Sequence, residues 1–347
     1  MIHLKSKYLI ITVDTEEDNQ WDYNSKNTTN NVDYLPRFQE LAEKYGFKPV
    51  WLTTYDIANN PKYVKYFKNK QNENLCEIGM HLHAWNTPPN YNLNHKLNER
   101  SFITEYPKEI IDEKVKELDS LLKRKFGIKP ITHRSGRWDV NDQFLSILYK
   151  NGYRVDCSIT PGIDWKHSRG ETGIRGKNYK NEIKTPHFIN NILEVPVSIV
   201  NKRFYFPKKI TSFKNLLFAL YSFIFGRTFW FRPNNIDGVD NFNIVFNSLD
   251  KKDYIMFMIH SSELAPGLNP TFKDADSIDK LYTVLENVFE KAKKMGYKGI
   301  TLREYYDKFI NEKRSMHLYL HRVNSDSENS RNNYQKNRRY LFFENRL

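Results

Sequence analysis

Short apolar runs rich in β-branched side chains alternate with longer amphipathic stretches along most of this 347-residue chain. Apolar runs of this length predict buried strands, whereas apolar residues that recur three and four positions apart predict helices. Strands are expected at Tyr8–Val13, Lys48–Thr53, Cys76–His81, Ile131–His133, Tyr153–Ser158, Asn191–Val200, Asp253–His260 and Lys298–Thr301. Helices are expected at Asp33–Tyr45, Tyr106–Phe126, Asp142–Lys150 and Ser277–Met295. Strands that alternate with helices favour βα units around a mainly parallel sheet.

The length of the chain suits either one large α/β barrel or two modest domains. We favour one domain over residues 1–310, with an aromatic and basic insertion at about 205–235. A polar, partly flexible tail is expected to follow at residues 311–347.

Four side chains with catalytic chemistry fall where a predicted strand meets its following loop, namely Asp14, His81, Arg134 and His260. In barrels of parallel strands, the loops that follow the strands converge at one rim, where active sites gather. We therefore expect these four residues to lie close together.

His81 and His83 are one residue apart at the end of an apolar run. In an extended segment side chains two positions apart point the same way, so both imidazoles can face one ion. A carboxylate from the acidic run that follows Asp14 would complete a catalytic metal site with open positions. The alternatives are a chance pair of histidines and ordinary solvated acids or helix caps.

The formal net charge of +13 would help to recruit polyanions. No glycine-rich phosphate loop, zinc-finger spacing or aromatic ribonucleoprotein motif accompanies this charge, so nucleic acid is not an expected partner. Two cysteines, Cys76 and Cys157, do not form a disulfide framework and are expected to be buried thiols.

The first apolar run is too short for a secretory signal, which favours a cytoplasmic protein. The aromatic segment 216–230 lies between basic residues and could rest on a membrane interface. A buried or partner-covered helix remains an equal alternative for that segment.

Tyr8 to Tyr305 resembles the polysaccharide deacetylases, the NodB-homology group of carbohydrate esterase family 4. The His-Leu-His-Ala-Trp-Asn-Thr-Pro-Pro stretch at 81–89 resembles the branch associated with lipopolysaccharide and surface-polysaccharide biosynthesis. The resemblance implies a distorted (β/α)7-type barrel of mainly parallel strands.

The resemblance also assigns roles to residues. Asp14 matches the general base, and Glu16 is the candidate ligand because Thr15 stands where the family has its second Asp. His81 matches the first histidine ligand; Trp85 stands at the position of the second, and His83 is its candidate replacement.

Further motifs supply the remaining assignments. Arg134 matches the arginine that orients the base, with Arg137 as the fallback, and His260 matches the general acid. Asp156 loosely matches an aspartate that tunes the catalytic histidine. Substrate contacts are expected from Trp85, Arg137, Trp138 and Trp165.

The function implied by the resemblance is hydrolysis of an N-acetyl or O-acyl group on a sugar of a surface-polysaccharide precursor. The cofactor implied is a divalent metal, zinc in the first place, with cobalt or nickel as alternatives. A cytoplasmic location would make the substrate a nucleotide-linked or lipid-linked sugar. A metal-free carbohydrate-binding or scaffold protein that retains the fold is the second hypothesis.

Overall fold

Parallel strands joined by helices make up most of the structure, which is a computed structural model that describes residues 6–20, 22–23, 26–94, 97–204, 213–233, 239–249 and 252–313. The chain divides into two compact units, Ser6–Arg303 and a second one that combines Met1–Lys5 with Glu304–Leu347. In the second unit, residues 304–313 are helical. The expected boundary at residue 310 stays a prediction, and residues 314–347 of the expected tail lie outside the described residues.

Strands and helices alternate as the sequence predicts. The strands are β1 (Tyr8–Thr15), β2 (Pro49–Thr53), β3 (Glu77–Leu82), β4 (Thr132–Ser135), β5 (Val155–Asp156), β6 (His187–Ile189), β7 (Ile192–Glu194), β8 (Ile199–Lys202), β9 (Arg227–Trp230), β10 (Tyr254–His260) and β11 (Lys298–Gly299). The helices are α1 (Leu35–Lys44), α2 (Tyr55–Asn59), α3 (Pro61–Asn72), α4 (Lys108–Phe126), α5 (Asp142–Lys150), α6 (Phe213–Phe225), α7 (Val239–Leu249) and α8 (Ala275–Lys294).

The main sheet has the strand order β10-β1-β2-β3-β4-β5-β7-β6, and β11 pairs with the start of β1. From β10 to β7 every neighbouring pair is parallel, and only β6 runs antiparallel. Beyond β7 the backbone continues past β10, where Met256 N–H donates to Ser198 Oγ at 2.8 Å and Tyr254 Oη donates to the Pro196 carbonyl at 2.8 Å. The expected fold class, an α/β protein with a curled and mainly parallel sheet, is confirmed.

The pleat of the strands separates the core from the inside of the barrel. On β1, Leu9, Ile11 and Val13 belong to the apolar core, so the alternating residues Thr12 and Asp14 face the other way. The same alternation assigns Ile78, Met80 and Leu82 of β3 and Ile255, Phe257 and Ile259 of β10 to the core. Consequently His81, His83 and His260 share the inner face with Asp14.

Helices cover the outer face of the sheet through aromatic contacts. Phe38 of α1, Phe257 of β10 and Phe289 of α8 form a triangle with ring centroids 6.0 to 6.3 Å apart. Such contacts fix the helices against the strands and so hold the strand ends in register.

The predicted strand Asn191–Val200 is wrong as a single element, because it divides into β7 and β8. Pro196 lies between them and has no N–H to donate to a sheet ladder. The segment 216–230 likewise divides into the end of α6 and strand β9. Gly226, with φ 84°, ends α6 in the left-handed region that glycine adopts without strain.

Both cysteines are free and buried, as expected for thiols that pack in the core. Within the described ranges, no helix has the length and apolarity required to cross a membrane.

Candidate active site

A cavity of about 320 Å³ opens where the parallel strands end. The sequence-predicted residues that line it are Asp14, Glu16, His81, His83, Trp85, Arg137, Trp138, Trp165 and His260. Further lining residues, which the sequence analysis did not identify, are Gln20, Tyr23, Arg100, Ser135, Ser168 and Arg232. Arg134 lies fully buried beneath the cavity, and Asp156 lies away from its lining.

Strand register explains why residues far apart in sequence meet here. Asp14 is directly opposite His260 in the β1–β10 pair, and His81 is opposite Arg134 in the β3–β4 pair. Because all four strands run in the same direction, their carboxyl ends reach the same edge of the sheet.

Glu16, His81 and His83 form a candidate metal centre. Glu16 Oε2 lies 3.1 Å from His83 Nε2 and 3.6 Å from His81 Nε2. The ligand atoms of the three residues all lie within 4.8 Å of one another. Two ligands of a tetrahedral zinc, each about 2.0 to 2.2 Å from the ion, are about 3.3 Å apart. The spacing and the buried N₂O donor set therefore fit a divalent transition-metal ion.

A backbone carbonyl fixes the orientation of the His81 imidazole. Its Nδ1 lies 3.0 Å from the Arg134 carbonyl oxygen, to which it donates when Nδ1 carries the proton. That tautomer leaves the Nε2 lone pair directed at Glu16, which is the orientation that a metal ligand needs.

Glu17 supports His83 in a similar way and was not identified from the sequence. Glu17 Oε2 lies 3.4 Å from His83 Nδ1, and Thr54 Oγ1 donates to Glu17 Oε1 at 2.7 Å. Burial alone would lower the pKa of His83, but the neighbouring carboxylates of Glu16 and Glu17 raise it to about 9. The two carboxylates therefore place His83 in a strongly anionic environment that also favours a cation at Nε2.

Gly136 brings strand β4 close to His83. A Cβ atom on Gly136 would lie 2.7 Å from His83 Cδ2 and 2.9 Å from the Leu82 carbonyl oxygen. Because real Cβ atoms do not approach that closely, only glycine leaves room for the imidazole at this position.

Asp14 is paired with a buried guanidinium. Arg134 donates from Nη1 to Asp14 Oδ1 at 2.5 Å and from Nε to the Cys157 carbonyl at 3.0 Å. Burial alone would raise the pKa of Asp14, but Arg134, His81 and His260 together lower it below its ordinary value. Asp14 is therefore anionic at neutral pH and held in a fixed orientation.

His260 has its own carboxylate partner, Glu263. Glu263 Oε2 accepts from the His260 backbone N–H at 2.9 Å and lies 3.2 Å from Nδ1, while Nε2 faces Asp14 Oδ2 at 4.0 Å. Arg232 donates to the other carboxylate oxygen of Glu263 at 2.9 Å. Burial alone would lower the pKa of His260, but Glu16 and Glu263 raise it against the opposing effect of Arg232.

Asp156 does not contact His260, and this corrects the expectation that it lies beside the catalytic histidine. Its Oδ1 lies 2.6 Å from Nδ1 of His133, which is its register partner on β4. His133 and Arg134 are consecutive on an extended strand, so they point to opposite faces. Asp156 therefore lies with His133 on the core side of the sheet. The carboxylate that contacts the catalytic histidine His260 is Glu263.

Tryptophans form one wall of the cavity. Trp138 and Trp165 lie parallel, with an interplanar angle of 8° and ring centroids 6.4 Å apart. The ring of Trp85 stacks on His83 at 4.2 Å. Trp230 of β9, which was not predicted, packs its ring at steep angles against Trp138 and Trp165. Aromatic faces of this kind suit the apolar C–H face of a sugar ring.

Comparison with known proteins gives matches among solved structures alone. No protein-family model and no curated protein matches the chain. The structure of a putative polysaccharide deacetylase from Mycobacterium smegmatis matches with a TM-score of 0.55 and 10% identity over 89% of this chain and 92% of that one.

Two further solved structures align with lower scores. The carbohydrate esterase family 4 domain of a xylanase from the hindgut metagenome of Trinervitermes trinervoides aligns with a TM-score of 0.41 and 13% identity over 88% of this chain and 91% of that one. A family 4 pseudoenzyme from Bacillus anthracis aligns with a TM-score of 0.44 and 12% identity over 88% and 67%. The match to the mycobacterial protein confirms the resemblance at the level of the fold: this chain has the fold of the polysaccharide deacetylases.

Proposed function

We propose that this protein is a metal-dependent hydrolase that removes an acetyl or similar acyl group from an amino sugar. The observation that carries the proposal is the meeting of three groups in one cavity: the metal-ligand set Glu16, His81 and His83, the anionic Asp14, and His260. Asp14 is anionic beside Arg134, and His260 is held beside Glu263, as a general base and a general acid require.

Asp14 is the general base. A divalent ion held by Glu16, His81 and His83 would supply Lewis-acid polarisation of the acyl oxygen and make an attacking water more acidic. Asp14 accepts the proton of that water, and its pairing with Arg134 keeps the carboxylate ionised and directed into the cavity.

His260 is the general acid. Its raised pKa favours the protonated imidazole, and Glu263 lies at Nδ1 while Nε2 faces Asp14. An amine leaves only when it is protonated, so a histidine that delivers a proton to the sugar nitrogen serves an amide more than an ester.

The substrate we propose is a nucleotide-linked or lipid-linked sugar in the synthesis of a surface polysaccharide. The parallel pair Trp138 and Trp165 offers a face for the sugar ring on the wall of the cavity. The net charge of +13 favours a substrate that carries phosphate. A cytoplasmic location follows from such a substrate and remains part of the proposal.

Helix α6 supports a contact with a lipid surface. Its side chains Leu217, Tyr221, Ile224 and Phe225 are 52 to 64% exposed, and the ring of exposed Phe204 packs beside it against Phe223. Lys202 and Arg203, both exposed, precede Phe204 and suit anionic headgroups. Co-sedimentation with vesicles rich in anionic lipid tests this contact; we expect the double change Ile224→Ser and Phe225→Ser to abolish it, and unchanged binding would remove this part of the proposal.

A metal-free carbohydrate-binding or scaffold protein is the competing proposal. It rests on the departures from the family motifs at Thr15 and Trp85. The Glu16, His81 and His83 set argues against it, because two imidazoles and a carboxylate with ligand atoms within 4.8 Å of one another have the spacing and chemistry of a metal site.

Acetate release from a panel of N-acetylated sugars tests the enzymatic proposal. The panel includes free, nucleotide-linked and lipid-linked sugars, each incubated with the purified protein before and after chelation. We expect release from at least one linked sugar, loss on chelation and recovery with zinc, cobalt or nickel. Release from none of them with metal present would contradict the proposal.

A further inference from the structure

The cavity contains more positive charge than the proposed hydrolysis uses. Three arginines line it, namely Arg100, Arg137 and Arg232. Arg232 is paired with Glu263 at 2.9 Å. Among the described residues, neither Arg100 nor Arg137 has a carboxylate oxygen within ion-pair distance.

Arg100 lies half-buried between two aromatic rings. Its guanidinium carbon lies 5.2 Å from the ring of Trp85 and 5.2 Å from that of Tyr23. Its Nε is buried and has no hydrogen-bond partner within the described ranges, and Nη2 makes one long contact of 3.4 Å to Asn27. Most of its donors are therefore available to a ligand.

Arg137 is fixed beside Arg100 by the backbone. Its Nη1 donates to the Arg100 carbonyl, and its Nη2 donates to the Arg169 carbonyl at 2.8 Å. Arg137 and Trp138 both have left-handed backbone angles, with φ of 55° and 58°. Such angles cost energy in residues other than glycine, and they cluster at ligand sites. Here they direct Arg137 and Trp138 together into the cavity.

Two neighbouring guanidiniums in a partly buried cavity are unfavourable without an anion. Burial lowers the pKa of both, and Arg137 adds to this effect on Arg100. Glu16 and Glu17 act on Arg100, and Glu99, Glu105 and Asp139 act on Arg137, but all five carboxylates lie beyond ion-pair distance of these arginines. Glu16 and Glu17 are already paired with His81, His83 and Thr54. The two arginines therefore have more N–H donors than the described residues supply acceptors for.

We propose that Arg100 and Arg137 form a subsite for an anionic group, a phosphate or a carboxylate, carried by the acylated sugar. A guanidinium binds either anion through paired N–H donors. The Trp85 and Trp138 rings lie beside these arginines, so the subsite lies at the edge of the cavity wall that the tryptophans form. This inference rests on the proposed function and adds the class of substrate to it.

Binding measurements test the subsite without relying on turnover. Calorimetry is carried out on metal-loaded Asp14→Asn protein with three ligands: N-acetylglucosamine, its 1-phosphate, and an N-acetylated amino-sugar uronic acid. We expect at least one anionic ligand to bind tenfold or more tightly than the neutral sugar, a difference of about 1.4 kcal/mol. A preference for the phosphate alone indicates a nucleotide-linked or lipid-linked substrate, and a preference for the uronic acid alone indicates an acidic sugar.

Variants identify the residues that produce the preference. We expect Arg100→Gln and Arg137→Gln to remove the advantage of the anionic ligand and to leave binding of the neutral sugar within threefold. Arg100→Lys keeps the charge and should retain part of the advantage. Arg175→Gln, on an exposed residue outside the cavity lining, is the matched control and should change nothing.

Equal affinity for all three ligands, no binding of any of them, or equal weakening of all three by Arg100→Gln would overturn the subsite. The proposed function fails separately: if the wild-type protein releases no acetate but retains the anion preference, the subsite stands and the hydrolase does not.

Discussion

Asp14 shows how neighbouring residues set the charge and the orientation of a catalytic side chain. Its carboxylate is buried, and Arg134, His81 and His260 together lower the pKa of Asp14 below the ordinary value despite that burial. The resemblance to the polysaccharide deacetylases implied the pairing of Asp14 with Arg134, which joins two strand ends 120 positions apart.

Asp14→Asn tests the role of the base. The amide keeps the shape of the side chain but cannot accept a proton, so we expect turnover to fall by roughly 10² to 10⁴. Metal content should be unchanged because Asp14 is not in the ligand set. Full activity in this variant, measured as acetate release, would contradict the assignment.

Glu263→Gln tests the pH dependence of the acid. Among the residues that the structure describes, the charged groups that face His260 are Glu16, Asp14, Glu263 and Arg232. His260 has a raised pKa, so the protonated form persists to higher pH and activity is lost as pH rises through that pKa. Removal of the Glu263 charge should lower this pKa and move the alkaline limb of kcat/KM to lower pH.

The matched control for this change is Glu290→Gln on the exposed surface of α8, which should leave the pH profile in place. An unchanged alkaline limb in Glu263→Gln would show that Glu263 does not set the protonation of His260.

The sequence predicted the location of residues that end a strand or belong to a family motif, and it missed residues from other segments. Asp14, His81, Arg134 and His260 follow from strand ends and motifs. Arg232 and Arg100 reach the cavity, and Glu263 reaches His260, from segments without such a pattern. Asp156 lies inside the predicted strand Tyr153–Ser158, and its register on β5 gives it His133 of β4 as its partner.

At the scale of elements, the close approach of β3 and β4 sets the position of His83. Gly136→Ala should push the imidazole away from Glu16 and weaken metal binding by about 10- to 100-fold, as loss of ligand support does elsewhere. Titration of the apoprotein with zinc measures the change.

Gly46→Ala is the control for Gly136→Ala. Gly46 has φ 77° and no atom near its missing Cβ, so the substitution strains a helix end without touching the site. We expect a loss of stability of about 1 kcal/mol and unchanged zinc affinity. Equal zinc affinity in both variants would contradict the steric argument.

Helix α4 anchors the loop that follows His83 through one buried lysine. Lys114 Nζ donates to the Thr87 carbonyl at 2.5 Å and to the Pro89 carbonyl at 2.7 Å. Lys114→Met would leave these carbonyls without a donor and should lower the free energy of unfolding by about 1 to 3 kcal/mol. Urea denaturation measures the free energy of unfolding. The control Lys116→Met, at an exposed position of α4, should lower this free energy far less.

Element boundaries show what a single sequence cannot reveal. The helix α5 was predicted at its observed bounds because its period and its ends are both clear. Helices α2 and α3 and strands β6 and β9 were missed, since each is short or lacks a regular apolar period.

At the scale of the whole molecule, the alternation of strands and helices was sufficient to predict the α/β class and the edge of the sheet that holds the site. It was not sufficient to predict β9 at the cavity, because β8 and β9 pair antiparallel in a separate two-stranded sheet. Trp230 lies on β9 and Arg232 follows it, which explains why the sequence analysis did not identify these two residues at the cavity.

The metal content of protein purified without chelators tests the central claim most directly. We expect about one zinc, cobalt or nickel ion per chain in the wild type and in the control His187→Ala, a change on β6 away from the cavity. His81→Ala should retain less than about a tenth of that amount, at an unchanged fold by circular dichroism, because a site of three protein ligands loses one of them. A wild-type protein that contains none of these ions and binds none when they are added, or a His81→Ala variant that keeps its full complement, would contradict the account.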